Sequence, residues 1–90
     1  MKIEFDLVKR QATLKHRGLD MADAGEFFEG STITVTDDRK DYGEARYISV
    51  GRIEGRMIVV VWTPRGVVRR IISMRKANDR EQEIYSKRLD

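Results

Sequence analysis

Three apolar, β-branched stretches, Arg46–Ile53, Arg56–Thr63 and Val67–Met74, are separated only by Glu54-Gly55 and by Pro64-Arg65-Gly66. Connections this short cannot hold a crossover, so each stretch must run antiparallel to the next. The middle stretch contains Met57-Ile-Val-Val-Val-Trp62. It is apolar on both parities, which marks a strand buried on both faces at the centre of a sheet. Trp62 among the valines reads as core.

The elements around this hairpin pair follow from local signals. Lys2–Phe5 is a short candidate strand. Asp6 caps a helix from Leu7 to Arg17 that Gly18 ends, and Asp20 caps a second helix that ends at Gly30. The second helix sets Met21, Ala24, Phe27 and Phe28 on one face, as core or as part of a partner surface. Ser31–Thr36 alternates and is β-branched, a further strand. Residues 37–43 are polar and loop-like. Asn78 opens a last helix, with Glu81 at the capping-box position and Ile84, Tyr85 and Leu89 following. The order β-α-α-β-β-β-β-α predicts an α+β layer fold, an antiparallel meander packed by two N-terminal helices and one C-terminal helix.

Ninety residues make one domain, with no linker, repeat or internal boundary. There is no cysteine, which excludes a disulfide framework and a thiolate metal site. The longest apolar run is six residues, far below a membrane span. The start, Met-Lys-Ile-Glu-Phe-Asp, has no apolar segment of the secretory kind. These features predict a folded protein of the cytoplasm.

Charge is distributed unevenly. Residues 46–76 carry seven arginines and one lysine against the single acid Glu54. Residues 1–45 have seven bases and ten acids, whereas residues 46–90 have eleven bases and five acids. A split of this kind points to a polyanion, since clustered guanidinium groups pair with phosphates. Arginine in place of lysine fits the same target, because its fork binds two phosphate oxygens and stays charged. Strand parity sets Arg69, Ser73 and Arg75 on one face of the last strand and Val68, Ile72 and Met74 on the other. Arg46 and Arg52 fall at the two ends of a core-facing parity.

The order of motifs resembles the BrnT family of toxins, small mRNA-cleaving proteins with a RelE-like fold. The resemblance rests on Phe5-Asp6 with Lys9, Gly18-Leu19, Ala24 with Phe27-Phe28, Asp38-Arg39 and Gly43-Glu44-Ala45-Arg46. It continues through Gly51-Arg52, Val59-Val60, Thr63-Pro64-Arg65, Arg70-Ile-Ile-Ser-Met-Arg75, Ala77, Glu81 and Tyr85. One departure is local. Where the family commonly reads Asn-x-x-Lys-His-Gly, this chain reads Thr13-Leu-Lys-His-Arg-Gly18, so the Lys-His pair comes one residue early. One residue along a helix turns a side chain by about 100°. The resemblance implies an endoribonuclease, a BrnA-like antitoxin in a heterotetramer or larger assembly, DNA contact only through that antitoxin, and translation arrest by the free toxin.

RNA cleaves itself when its 2′-hydroxyl is aligned and deprotonated, so a protein must orient the phosphate, stabilise the phosphorane and handle two protons. Arginines supply the charge term, and proton transfer needs His, Tyr, Lys or a carboxylate. With the resemblance, the candidate catalytic residues are Arg46, Arg52, Arg70, Arg75 and Tyr85. Arg39, Arg65, Arg69 and His16 are candidates for RNA contact. No spacing suggests a metal or cofactor, and none is expected. Each candidate also has a plain structural reading. The arginines can be solvated charges or cross-strand partners, Tyr85 a packing residue, and His16 a partner of the helix dipole. The rival function is a non-catalytic basic module that binds nucleic acid.

Overall fold

The computed structural model describes residues 1–89. The chain runs through β1 (Lys2–Glu4), α1 (Leu7–Arg17), a 3₁₀ turn (Met21–Asp23), α2 (Ala24–Glu29), β2 (Ile33–Thr36), β3 (Tyr47–Ile53), β4 (Arg56–Arg65), β5 (Val68–Lys76) and α3 (Asp79–Leu89). The expected α+β class stands. Strands β2 to β5 form the antiparallel meander, and β4 is the central member of the five-stranded order β1-β5-β4-β3-β2. The sheet as a whole is mixed, which corrects the purely antiparallel expectation. β1 lies parallel to β5, with Lys2 opposite Val68 and Glu4 opposite Arg70. Turn length dictates direction only between strands joined directly. β1 returns over a long connection and is free to cover the polar edge that β5 would otherwise expose.

Local chemistry ends most elements where the sequence places them. The Asp6 carboxylate accepts from the Val8 and Lys9 N–H groups, and Gly18 closes α1 with φ of 67°. Glu54 and Gly55 have φ of 49° and 77°, the paired positive values that a tight two-residue hairpin turn requires. The capping box of α3 closes in both directions. Glu81 N–H donates to Asn78 Oδ1 at 2.8 Å, and Asn78 N–H donates to Glu81 Oε1 at 2.9 Å. The second helix is shorter than its caps imply. Asp23 N–H bonds back to Asp20 O at 2.9 Å, so its first turn is 3₁₀ and only Ala24–Glu29 is α-helical.

The sheet buries both faces, each under a different layer. On one, Leu19, Met21, Ala24 and Phe27 pack against Ile53, Ile58, Val60, Trp62, Ile71 and Met74. The close fit reaches the backbone: a Cβ on Gly51 would lie 2.9 Å from the Phe27 ring. Trp62 Nε1–H donates to Ser49 Oγ at 2.8 Å, and Ser49 in turn bonds Thr34 Oγ1 at 2.7 Å, so the polar atoms buried in this layer are satisfied. α1 contributes no buried residue to it. That helix is held by polar contacts instead: Arg17 Nη1 donates to Met74 O at 2.7 Å, and Arg10 grips Asp20 through two bonds of 2.7 and 2.9 Å. On the other face, Leu89 of α3 is buried with Val50, Met57, Val59 and Ala77, and half-buried Ile33, Ile48 and Tyr85 pack against the margin of that cluster. No helix among the described residues is long and apolar enough to cross a membrane.

Candidate nucleic-acid interface

α3 covers only part of its face. The rest has an apolar floor of half-buried Ile48 and Val61, with Val35 at its edge 49% exposed. Register places Arg46, Arg65, Arg70, Ser73 and Arg75 around that floor. Arg70 lies opposite Thr63, Ser73 opposite Val61 and Arg75 opposite Val59, all of one parity on β4. Arg46 continues β3 two residues before Ile48, and its carbonyl accepts from Asp37 N–H at 2.8 Å. Arg39 enters from the loop that follows β2.

A register irregularity decides this grouping. Val61 pairs with Ser73 but Trp62 pairs with Ile71, so Ile72 is the extra residue of a β-bulge. Ile71 and Ile72 therefore both turn toward the α1–α2 layer, and parity is reversed on the two sides of the bulge. The simple alternation expected from sequence groups Arg69 with Arg75 and leaves Arg70 on the apolar side. The structure exchanges them: Arg70 joins Arg75, and Arg69 goes to the opposite face. There its guanidinium lies 4.6 Å from the Phe28 ring centroid and 4.2 Å from that of Trp62.

Every arginine around the floor meets an acid. Arg39 binds Asp37 through Nε and Nη2, each at 2.7 Å, and Arg75 binds Glu81 through Nη1 and Nη2 at 2.7 and 2.8 Å. Glu44 serves both Arg46, at 3.3 Å, and Arg65, at 3.8 Å, while Glu4 lies 3.5 Å from Arg70. Two of these acids, Glu4 and Glu44, come from the acidic half of the chain and meet arginines of the basic half. The fold thus threads them among arginines of the basic half, and the charge split seen in sequence is much reduced in space. The Arg39 guanidinium holds the Asp37 carboxyl down at about 2 against the opposing effect of burial, and Arg75 likewise holds Glu81 at about 2. The arginines gain reciprocally and are kept charged.

The remaining candidates are placed apart or at the margin. Arg52 shares the face of Arg46 but sits near the β3–β4 turn, where Nη1 donates to Gly55 O at 3.4 Å; six residues of strand, about 20 Å, separate the two. His16 lines a cleft of about 250 Å³ between α1 and β5 with Lys9, Ala12, Thr13, Arg17, Met21 and Ile72, and Ser73, beside the bulge, borders this cleft as well. Tyr85 is half-buried and packs against the cluster of Val50, Met57, Val59, Ala77 and Leu89. It follows Glu81 by one helical turn and shares its side of α3.

Sequence reasoning missed Asp37 and Tyr42. Arg46 stacks on the Tyr42 ring with its guanidinium carbon 4.0 Å from the centroid, and Lys40 Nζ lies 5.2 Å from the same centroid. The alternation of Lys40, Tyr42 and Arg46 was the available signal, since interleaved basic and aromatic residues suit single-stranded nucleic acid. Asp37 gave none, because an acid opening a polar loop reads as solvated. No three His, Asp or Glu side chains among the described residues converge as metal ligands do. The arrangement offers fixed guanidinium donors beside an apolar floor, with a phenol one turn along α3. It is suited to hold a phosphodiester with its neighbouring base or ribose.

A search of curated proteins found no match. A family model described as "Ribonuclease toxin, BrnT, of type II toxin-antitoxin system" matches residues 5–81, a span that includes the five arginines around the floor and Glu81 and stops short of Tyr85. The chain therefore belongs to the BrnT family of ribonuclease toxins.

Proposed function

We propose that this toxin is a RelE-like, single-domain endoribonuclease of the cytoplasm that cuts mRNA without a metal ion and arrests translation when free of a BrnA-like antitoxin. The observation that carries the reading is the convergence of Arg39, Arg46, Arg65, Arg70 and Arg75 around one uncovered apolar floor, with two of them held as forks by carboxylates. In the reaction the RNA 2′-oxygen attacks the adjacent phosphorus as its proton leaves. The bond from phosphorus to the 5′-oxygen then breaks, and that oxygen takes up a proton. The products are a 2′,3′-cyclic phosphate and a 5′-hydroxyl. Charge on the non-bridging oxygens rises in the transition state, where Arg75 and its neighbours act. Tyr85 is the group on α3 proposed to move a proton. The antitoxin accounts for any DNA binding of the complex and covers the open floor.

The test is cleavage of RNA by purified toxin in EDTA, scored alongside growth arrest. Wild type is expected to cleave with chelator present. Arg75→Ala is expected to cleave about a hundredfold or more slowly, as loss of one transition-state donor does. Arg75→Lys should recover little, because an ammonium cannot reproduce the fork. Activity that disappears with chelator and returns with Mg²⁺ would remove metal independence. RNA binding without any cleavage would favour the non-catalytic module.

A further inference from the structure

We propose that Asp37 and Glu81 are positioning residues that fix the guanidinium planes of Arg39 and Arg75 for contact with the non-bridging oxygens of RNA phosphodiesters. The proposal rests on the ribonuclease reading and concerns how its charge stabilisation is built.

Two kinds of arginine surround the floor. Arg46, Arg65 and Arg70 approach their acids at 3.3, 3.8 and 3.5 Å. Arg39 and Arg75 each make two bonds of 2.7 to 2.8 Å to a single carboxylate. Only the second geometry fixes the plane and direction of a guanidinium. Both carboxylates are themselves fixed. Asp37 is tied into the sheet by its N–H bond to Arg46 O at 2.8 Å, and its side chain is 0% exposed. Glu81 is locked by the reciprocal cap of α3.

Each guanidinium keeps donors that its carboxylate does not use. Arg39 spends Nε and one edge of Nη2 on Asp37, so Nη1 and the outer edge of Nη2 are not taken by that carboxylate, on a side chain that is 66% exposed. Arg75 spends one edge of each Nη, so Nε and the outer edge of Nη2 remain. Each guanidinium is held from behind by its own carboxylate, which leaves its remaining N–H groups to an anion. A phosphodiester that gains negative charge on passing to the phosphorane would profit more than one at rest, because the donors need no reorientation.

Asp37→Asn and Glu81→Gln test this, with Arg39→Lys beside them to keep the charge while abolishing the fork. Single-turnover cleavage is measured at a temperature where circular dichroism shows each variant folded. Affinity is measured for the same RNA carrying a 2′-deoxy sugar at the cleavage site. Each substitution is expected to slow the chemical step roughly tenfold to a hundredfold. Removing a carboxylate makes the face more positive, so RNA affinity in Asp37→Asn and Glu81→Gln should hold or tighten. A role confined to stability would show instead as a lower melting temperature with normal cleavage by the folded protein. Wild-type rates in the folded variants would overturn the proposal, as would a loss of affinity that accounts for the slower rate. Should Asp37→Asn fail to fold, Arg39→Lys and Glu81→Gln decide the matter by the same readings. Failure of wild type to cleave would instead refute the ribonuclease reading, independently of the positioning.

Discussion

The Glu81 carboxylate accepts two bonds from Arg75 and one from the Asn78 N–H, so adding a proton to it disturbs an ion pair and a helix cap together. Its folded pKa is about 2 against an ordinary 4.5, chiefly through Arg75. Asp37 and Asp20 also stand at about 2, against 3.8, chiefly through Arg39 and Arg10. For a carboxylate with a lowered folded value, the stabilisation is complete above the unfolded pKa and is lost as pH falls through the folded one. Melting temperature should therefore hold from neutrality to about pH 5 and fall progressively between about 4.5 and 2. Glu81→Gln should flatten part of that descent, as thermal melts across the range would reveal. Identical slopes in variant and wild type would mean that Glu81 carries none of it. Arg69 shows what a single residue's sequence can hide. Its neighbour Arg70 is chemically identical, yet one lies on aromatic rings and the other beside Glu4 at the open floor. Arg69→Ala should leave cleavage near wild type and cost about 0.5–1 kcal/mol of stability, the usual worth of a cation on a ring.

Among the elements, the central hairpins and the terminal caps were legible because each rests on a local signal. Asp6, Gly18, Glu54-Gly55, Asn78 and Glu81 all act within a few residues of where they stand. The misread features depend on distant partners. β1 runs parallel because β5 has an edge to cover, and no residue near Lys2 announces that. The bulge at Ile72 arises where β5 must turn two isoleucines toward the helix layer, and alternation cannot express an added residue. Gly51 is another position whose reason is tertiary. The Phe27 ring against it is fully buried and has no room to retreat. Gly51→Ala should destabilise by about 1–3 kcal/mol through overpacking, although alanine suits a strand better than glycine does. An unchanged or raised unfolding midpoint in urea would contradict the tight contact between α2 and β3.

Over the whole molecule, the fold moderates the charge that the sequence suggests. Four acids offset all but one of the five arginines around the floor. If each arginine neutralised one phosphate of a single strand, log affinity would fall against log salt with a slope of about −3.5. Because those arginines are already paired, the slope should be shallower, and fluorescence anisotropy with labelled RNA between low and moderate salt would measure it. A slope at or beyond that value would mean that RNA opens the acid pairs on binding. The parallel pairing of β1 with β5 has a consequence in time as well as in space. It joins Lys2 to Val68, so a chain emerging from the ribosome must hold its first strand without a partner until most of the protein is made. Arg70 and Arg75 arrive on that same late strand, and Glu81 later still. Until then β4 lacks a neighbour on one side, and an apolar edge of this kind is open to association with other chains. Synthesis therefore passes through a stage that is prone to aggregate and has no assembled arginine face. The arginine face is complete only once β5 has paired with β1.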